Sequence, residues 1–336
     1  MPLRIAIDAM GGDIGPPATF PATLSLAKKY PDIVFLLYGE EGVCRSFLPQ
    51  HVPPNVHFIT SANSVLMTDL PGTALRQKRD SSMGMALSAV ANSEADGCIS
   101  AGNTGALVAM STHFLACYPK IHRPVLCQAL PTHHRPTYLL DLGANVDCSA
   151  DQLVQFAYLG AAFASVLQDI PSPVVKMLNI GSEGHKGTSP IKQAADQLSC
   201  AKQLNYQGFI EGDELYQGNV DVIVCDGFAG NIALKTSEGV ARFVTDQLKA
   251  LFSRTCYGHW VAWMARPVLR QWLRKMNPGN YNGAYFIGLR GAVVKSHGSA
   301  DQDQFARALT MLIHQLQQQK LVPLEEKLLE FSRSAD

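Results

Sequence analysis

A chain of 336 residues, 47% of them apolar, can bury a large core; it is long for one domain and short for three. Its 28 basic and 28 acidic residues cancel, so no global electrostatic attraction to nucleic acid is expected. Eight cysteines form no Cys-x-x-Cys pair, which excludes zinc-ribbon and thioredoxin chemistry and fits a reducing cytoplasm, and no apolar run reaches the roughly 20 residues of a membrane span.

The chain opens almost directly on a strand pattern at 3–8, so no signal peptide is expected. Ala9-Met10-Gly11-Gly12-Asp13 forms a turn, and Pro16 and Pro17 suit the first turn of a helix reaching about Lys29. Strands follow at 32–38 and 56–60, then a helix at 81–93. A short buried strand at 97–100 leads through Ala101-Gly102-Asn103-Thr104-Gly105 into an apolar helix ending near Leu115. The strand at 138–142 ends in Gly143-Ala144-Asn145-Val146-Asp147, and a long helix is expected over 151–167. The apolar run at 174–178 feeds Asn179-Ile180-Gly181-Ser182-Glu183-Gly184-His185-Lys186-Gly187-Thr188, with a helical pattern from Ile191. The strand at 220–225 ends in Asp226-Gly227-Phe228-Ala229-Gly230-Asn231 and a helix running towards Phe252. Residues after about Leu321 are charged and expected to fray.

Alternating strands and helices, with several strands apolar on both faces, predict an α/β fold: a largely parallel sheet covered by helices on both faces. No linker divides residues 1–336, so one α/β body is expected, with a helical pair at about 243–276 appended to it. In a parallel sheet the five Gly-rich loops would project to one edge and line a polar site with backbone N–H donors. None matches a Walker pattern, and no clean Gly-x-Gly-x-x-Gly follows the first strand. No Gly-x-Ser-x-Gly nucleophile is present. His133 and His134 are adjacent and cannot face one metal from a strand. Strand-ending Asp8, Asp141 and Asp226 leave a magnesium site open, although such residues more often cap the next helix. What remains is positioning and electrostatics: holding an oxyanion such as phosphate and stabilising the charge formed when it attacks a carbonyl.

The joint pattern resembles the acyl-acyl carrier protein:phosphate acyltransferases, the PlsX family of bacterial phospholipid synthesis. The residues that carry the resemblance are Ile5 to Asp13, Lys78-Arg79-Asp80-Ser81-Ser82-Met83, Ile99 to Ala106, Leu139 to Asp147, Asn179-Ile180-Gly181 with Glu183-Gly184 and Lys186-Gly187, Val222 to Asn231, and Gly298-Ser299-Ala300. Ser182 and His185 depart from the more acidic family loop, Glu-Glu-Gly-Lys-Gly. The resemblance implies a Rossmann-like fold similar to phosphotransacetylases and isocitrate/isopropylmalate dehydrogenases. It implies that inorganic phosphate attacks the thioester of a long-chain acyl-acyl carrier protein, without a cofactor, giving acyl phosphate for a downstream acyl-phosphate:glycerol-3-phosphate acyltransferase. It also implies a homodimer and peripheral membrane association from the cytoplasm.

On that reading Lys186 and Asn231 are the functional pair, Lys186 neutralising phosphate or the oxyanion and Asn231 donating to it. Gly11, Gly12, Ser100, Gly102, Asn103, Thr104, Gly105, Asn145, Gly181, Gly187 and Gly230 are candidates to bind phosphate or the acyl carrier. Arg76, Lys78 and Arg79 could meet phosphate or the acidic carrier, or form a solvated turn. All three tryptophans fall within 260–272; Val268, Leu269, Trp272 and Leu273 lie on one helical stripe beside Arg270 and Arg274, which fits either an interfacial helix or one packed on the core or a partner. Two other readings stay open. Gly12-Asp13-Ile14-Gly15-Pro16 suggests a nicotinamide-dependent decarboxylating dehydrogenase, although no Asp-x-x-x-Asp metal pair on a helix is evident. A non-enzymatic module binding acyl chains or carrier protein is the other.

Overall fold

The computed structural model describes residues 2–276, 278–318, 324 and 326–328. Most of the tail expected to fray after Leu321 lies outside them.

The first half builds β1 (Arg4–Asp8), α1 (Pro16–Lys29), β2 (Val34–Gly39), α2 (Glu41–Cys44), β3 (Val56–Thr60), α3 (Pro71–Gln77), α4 (Ser82–Ala91), β4 (Gly97–Ser100) and α5 (Thr104–Leu115). Then come β5 (Val125–Leu130), β6 (Thr137–Leu140), α6 (Ala150–Gln168), β7 (Val174–Leu178), α7 (Ser189–Cys200), β8 (Asn205–Ile210) and β9 (Val222–Val224). The chain continues through α8 (Gly227–Ser253), α9 (Cys256–Met264), α10 (Arg266–Met276), β10 (Ala284–Ile287), β11 (Ala292–Lys295) and α11 (Gln302–Gln317). Helix starts follow local chemistry. Ser81, Asn103 and Asp226 each accept a backbone N–H in the first turn of α4, α5 and α8. Ser149 with Gln152 and Asp301 with Gln304 form capping boxes on α6 and α11.

These strands form one sheet in the order β3-β2-β1-β4-β11-β10-β5-β6-β9-β7-β8. Most neighbours are parallel, as the alternating pattern predicts, and helices cover both faces. The centre differs: β10 is antiparallel to both β11 and β5, and β5 is antiparallel to β6. The sheet is therefore two parallel blocks of opposite sense. The loops after β1 and β4 leave one edge, and those after β6, β7 and β9 leave the other. The expectation that all five Gly-rich loops share an edge fails for this reason.

On one face each block has its own core cluster. Ile5, Ile7, Ile99 and Val294 pack with Phe20 of α1 and with Phe305 and Leu309 of α11. Val175, Val222 and Val224 pack with Phe156 and Phe163 of α6 and Leu198 of α7. On the opposite face lie α4, α5 and the inner side of α8, against Leu126, Leu142, Ile223 and Phe286. Burying each such side chain contributes about 1.5–3 kcal/mol. Helix α8 has 27 residues and is roughly 40 Å long, so it carries the chain from the end of β9 back across the antiparallel centre. Among the described residues no helix is long and apolar enough to cross a membrane.

Candidate functional site

At the first edge the loops after β1, β4 and β11 are knitted together. Asp13 N donates to Gly298 O at 2.7 Å and Ser296 N to Ser100 O at 2.9 Å. Beneath them Asp8 accepts from Ser82 Oγ at 2.6 Å and Ser100 Oγ at 2.7 Å, and Ser100 Oγ accepts from Gly102 N at 2.9 Å. Burial raises the Asp8 carboxyl above its ordinary range although the two hydroxyls oppose this. Asp8 and Ser100 thus hold loops in place. Gly11 and Gly12 belong to the same joint: a Cβ on Gly11 would stand 2.6 Å from Asp8 Oδ2, and one on Gly12 2.7 Å from Gly298 O. Gly102 lies against Met83, and Gly105 against Pro71.

At the opposite edge Asp141 is the anchor. It accepts from Leu126 N, Ala144 N and Asn145 N, and from Asn145 Nδ2 at 2.9 Å. Asn145 Nδ2 also donates to Pro124 O, so Asn145 is a buried framework residue. Gly227 N donates to Asn145 O at 2.8 Å, which locks the start of α8 onto the loop after β6. Asp226 accepts from Ala229 N at 2.7 Å and caps α8. Asn231 is therefore not the cap. Its side chain is exposed and makes no hydrogen bond with any described residue.

A cavity of about 350 Å³ lies between the two edges, over the antiparallel centre. Its walls include Leu126, Gln128 and Leu142 of the sheet region, Thr104, and Asn231, Lys235, Glu238 and Arg242 of α8. These α8 positions fall four, three and four residues apart, one stripe of a helix. Further wall comes from Asp13 and Met67, from residues 279 and 281–284, and from 295–299. Lys235 Nζ lies 3.0 Å from Glu238 and also hydrogen-bonds His297 Nε2. Arg242 and His297 reach the same Glu238 carboxylate at 3.5 and 3.8 Å. Lys295 is buried, and its Nζ donates to Ala101 O at 3.2 Å and to Ser296 O. Burial, then the neighbouring Lys235 charge, pushes the Lys295 ammonium down to about 8. Burial and Lys235 also lower His297.

Of the sequence-derived residues, Asn231 and Thr104 line this cavity. Asn103 does not; it caps α5 and donates to Met67 O and Asp69 O. Lys186 does not line it either. It sits in the loop after β7 with Nζ 3.0 Å from Glu183, whose carboxyl it holds below the ordinary range. Gly181 lies against the Lys186 side chain, Gly187 against Asn179, and Gly230 against Asp141 O. Lys78 is tied to Asp69 at 2.6 Å, while Arg76 and Arg79 are exposed. Val268 is exposed, and Leu269 and Trp272 are half-buried; the Leu273 side chain lies outside the described residues. The sequence reading missed Lys235, Arg242, Lys295 and His297. Lys235 and Arg242 could have been found from their helical spacing with Asn231.

Comparison with known proteins extends the resemblance over nearly the whole chain. The profile of the family described as fatty acid synthesis protein matches residues 3–322. A phosphate acyltransferase of Shewanella loihica is 44% identical over 330 residues, 97% of this chain and 96% of its own length. One of Shewanella amazonensis is 45% identical over 313 residues, 92% of each. Among solved structures, a phosphotransacetylase from Streptococcus pyogenes superposes with a TM-score of 0.60 at 13% identity, covering 97% of this chain and 94% of the other. A branched-chain phosphotransacylase from Enterococcus faecalis gives 0.56 at 13% identity, over 94% and 99%. At such identities the structures share the fold alone. The sequence matches settle the lineage: the chain belongs to the fatty acid synthesis protein family, the PlsX family recognised in its motifs.

Proposed function

We propose that the protein transfers the acyl group of a long-chain acyl-acyl carrier protein to inorganic phosphate. A phosphate oxygen attacks the thioester carbonyl carbon, the C–S bond breaks, and acyl phosphate leaves with free carrier protein, whose thiolate takes up a proton. The observation that carries this reading is the cavity in which the unengaged Asn231 amide shares one helix face with Lys235 and Arg242. An amide donor suits the developing oxyanion, and cations suit an anionic nucleophile. The relatives named phosphate acyltransferase support the same reaction. Lys186 would meet the reacting groups from the loop after β7, exchanging Glu183 for them. Purified protein given acyl carrier protein thioester and phosphate is expected to form acyl phosphate without nucleotide or added metal. Loss of activity in chelator, restored by magnesium, would contradict the metal-free part, and consumption of NAD with 2-hydroxy acids would favour the dehydrogenase.

The product then serves an acyl-phosphate:glycerol-3-phosphate acyltransferase. A homodimer is supported by the exposed stripe Phe228, Ile232, Val240 and Phe243 on α8. Peripheral membrane contact is supported by the turn between α9 and α10, where Trp263 is 69% and Val268 70% exposed, beside Trp260 and Met264. Leu269 instead lines an apolar groove with Leu248, Phe252 and Ala262. The joint variant Trp263→Glu, Val268→Glu is thus expected to leave anionic vesicles while retaining its melting temperature and its activity on soluble acyl carrier protein. Vesicle sedimentation checks this; unchanged binding would remove the membrane from the proposal.

A further inference from the structure

We infer that Lys295 is the cation that seats the phosphate nucleophile, at the buried end of the cavity whose outer wall carries Asn231 and Lys235. This rests on the reaction proposed above and assigns one of its ligands. The cavity walls carry three basic side chains besides His297, namely Lys235, Arg242 and Lys295, against two carboxylates, Asp13 and Glu238. Glu238 is shared by Lys235, Arg242 and His297. Lys295 has no carboxylate within 4.0 Å among the described residues; its hydrogen bonds there go to two backbone carbonyls. An ammonium has three N–H donors, so one remains for the cavity.

A buried cation with no ion pair is costly, and an apolar side chain of similar length would cost less. An anionic ligand removes that cost by supplying the missing partner. The other charged groups facing Lys295 are Asp8, Asp13, Lys235 and His297. The two aspartates are the only carboxylates among them, and Asp8 already accepts two hydroxyl hydrogen bonds. Thr104 and Ser299 line the same cavity; Ser299 Oγ lies 2.9 Å from His297 Nδ1, which leaves Thr104 as a further hydroxyl for a tetrahedral oxyanion. The phosphodiester of a carrier protein's prosthetic arm offers related chemistry. Lys295 is only 7% exposed, which favours a small free anion over a group tethered to a protein.

Two measurements test the seat. In the first, wild-type protein is acetylated near pH 7.5 with inorganic phosphate, with phosphopantetheine, or with neither, and lysine labelling is read by mass spectrometry. Phosphate is expected to protect Lys295. Protection by phosphopantetheine alone, or labelling unchanged by phosphate, would overturn the inference. In the second, Lys295→Met is expected to weaken phosphate binding, measured by calorimetry, by about 10- to 100-fold, the range of one charged hydrogen bond. A folded variant whose affinity stays within about threefold of wild type would overturn it. If the variant fails to fold, the labelling experiment decides. Acyl phosphate formation by wild type is scored separately. Lys295-dependent phosphate binding without acyl phosphate would sink the reaction and leave the seat standing; normal turnover with unprotected Lys295 would do the reverse.

Discussion

Asn231→Ala is expected to lower kcat by about two orders of magnitude, corresponding to roughly 3 kcal/mol of lost oxyanion stabilisation. The melting temperature should hardly change. Asp226 caps α8 in place of Asn231, and the Asn231 side chain is exposed, so its removal leaves neither a cavity nor an unpaired buried group. The loss should appear in kcat more than in the KM for phosphate, because the amide acts on charge that develops only on attack. Lys186→Ala is expected to fall by a similar factor. Its ammonium is held by Glu183 on the loop surface, so no core packing depends on it. Steady-state kinetics with melting curves on both variants check the pair. Near-normal turnover in either would remove that residue from the catalytic set, and for Lys186 would leave the cavity cations to neutralise the charge alone.

Gly230→Ala is expected to damage stability and turnover together. A Cβ there would stand 1.9 Å from Asp141 O and 2.8 Å from Cys225 Sγ. The nearer contact is with backbone, which cannot rotate aside. The first turn of α8 must then move away from the loop after β6, at a cost of about 1–3 kcal/mol or more. Asn231, the next residue, moves with it, and displacement of a catalytic group by about 1 Å can cost up to 100-fold in rate. Thermal unfolding and kcat on one preparation check this. A variant with native melting temperature and native kcat would show that the packing of α8 on Asp141 does not position Asn231.

Much of this molecule can be read without coordinates. The strand at 174–178 coincides with β7; the strand expected at 220–225 is β9, but the residues expected as a loop after it, 227–231, already form the first turns of α8, capped by Asp226. Prolines at the start of α1 and the hydrogen-bonding residues before α4 and α5 act locally, within one helical turn, so they are legible in sequence. Lys186 stood out because its Gly-rich loop follows an apolar strand, and the family motifs singled it out together with Asn231.

The central strands were not legible. Short, mostly apolar runs of four to six residues, as in β5, β10 and β11, have no period that separates strand from helix. Nor does any short strand encode its direction of pairing, which long-range packing decides. By itself the sequence determined the α/β class, the polar loops and the family. Tertiary structure alone decided that the sheet reverses sense at its centre, and that α8 spans the reversal. That span brings Asn231, Lys235 and Arg242 into one cavity with Lys295 and His297. Lys295 and His297 lie about sixty residues further along the chain, and no local pattern announces that they share a cavity with α8, because only the pairing of β11 with β4 carries them there.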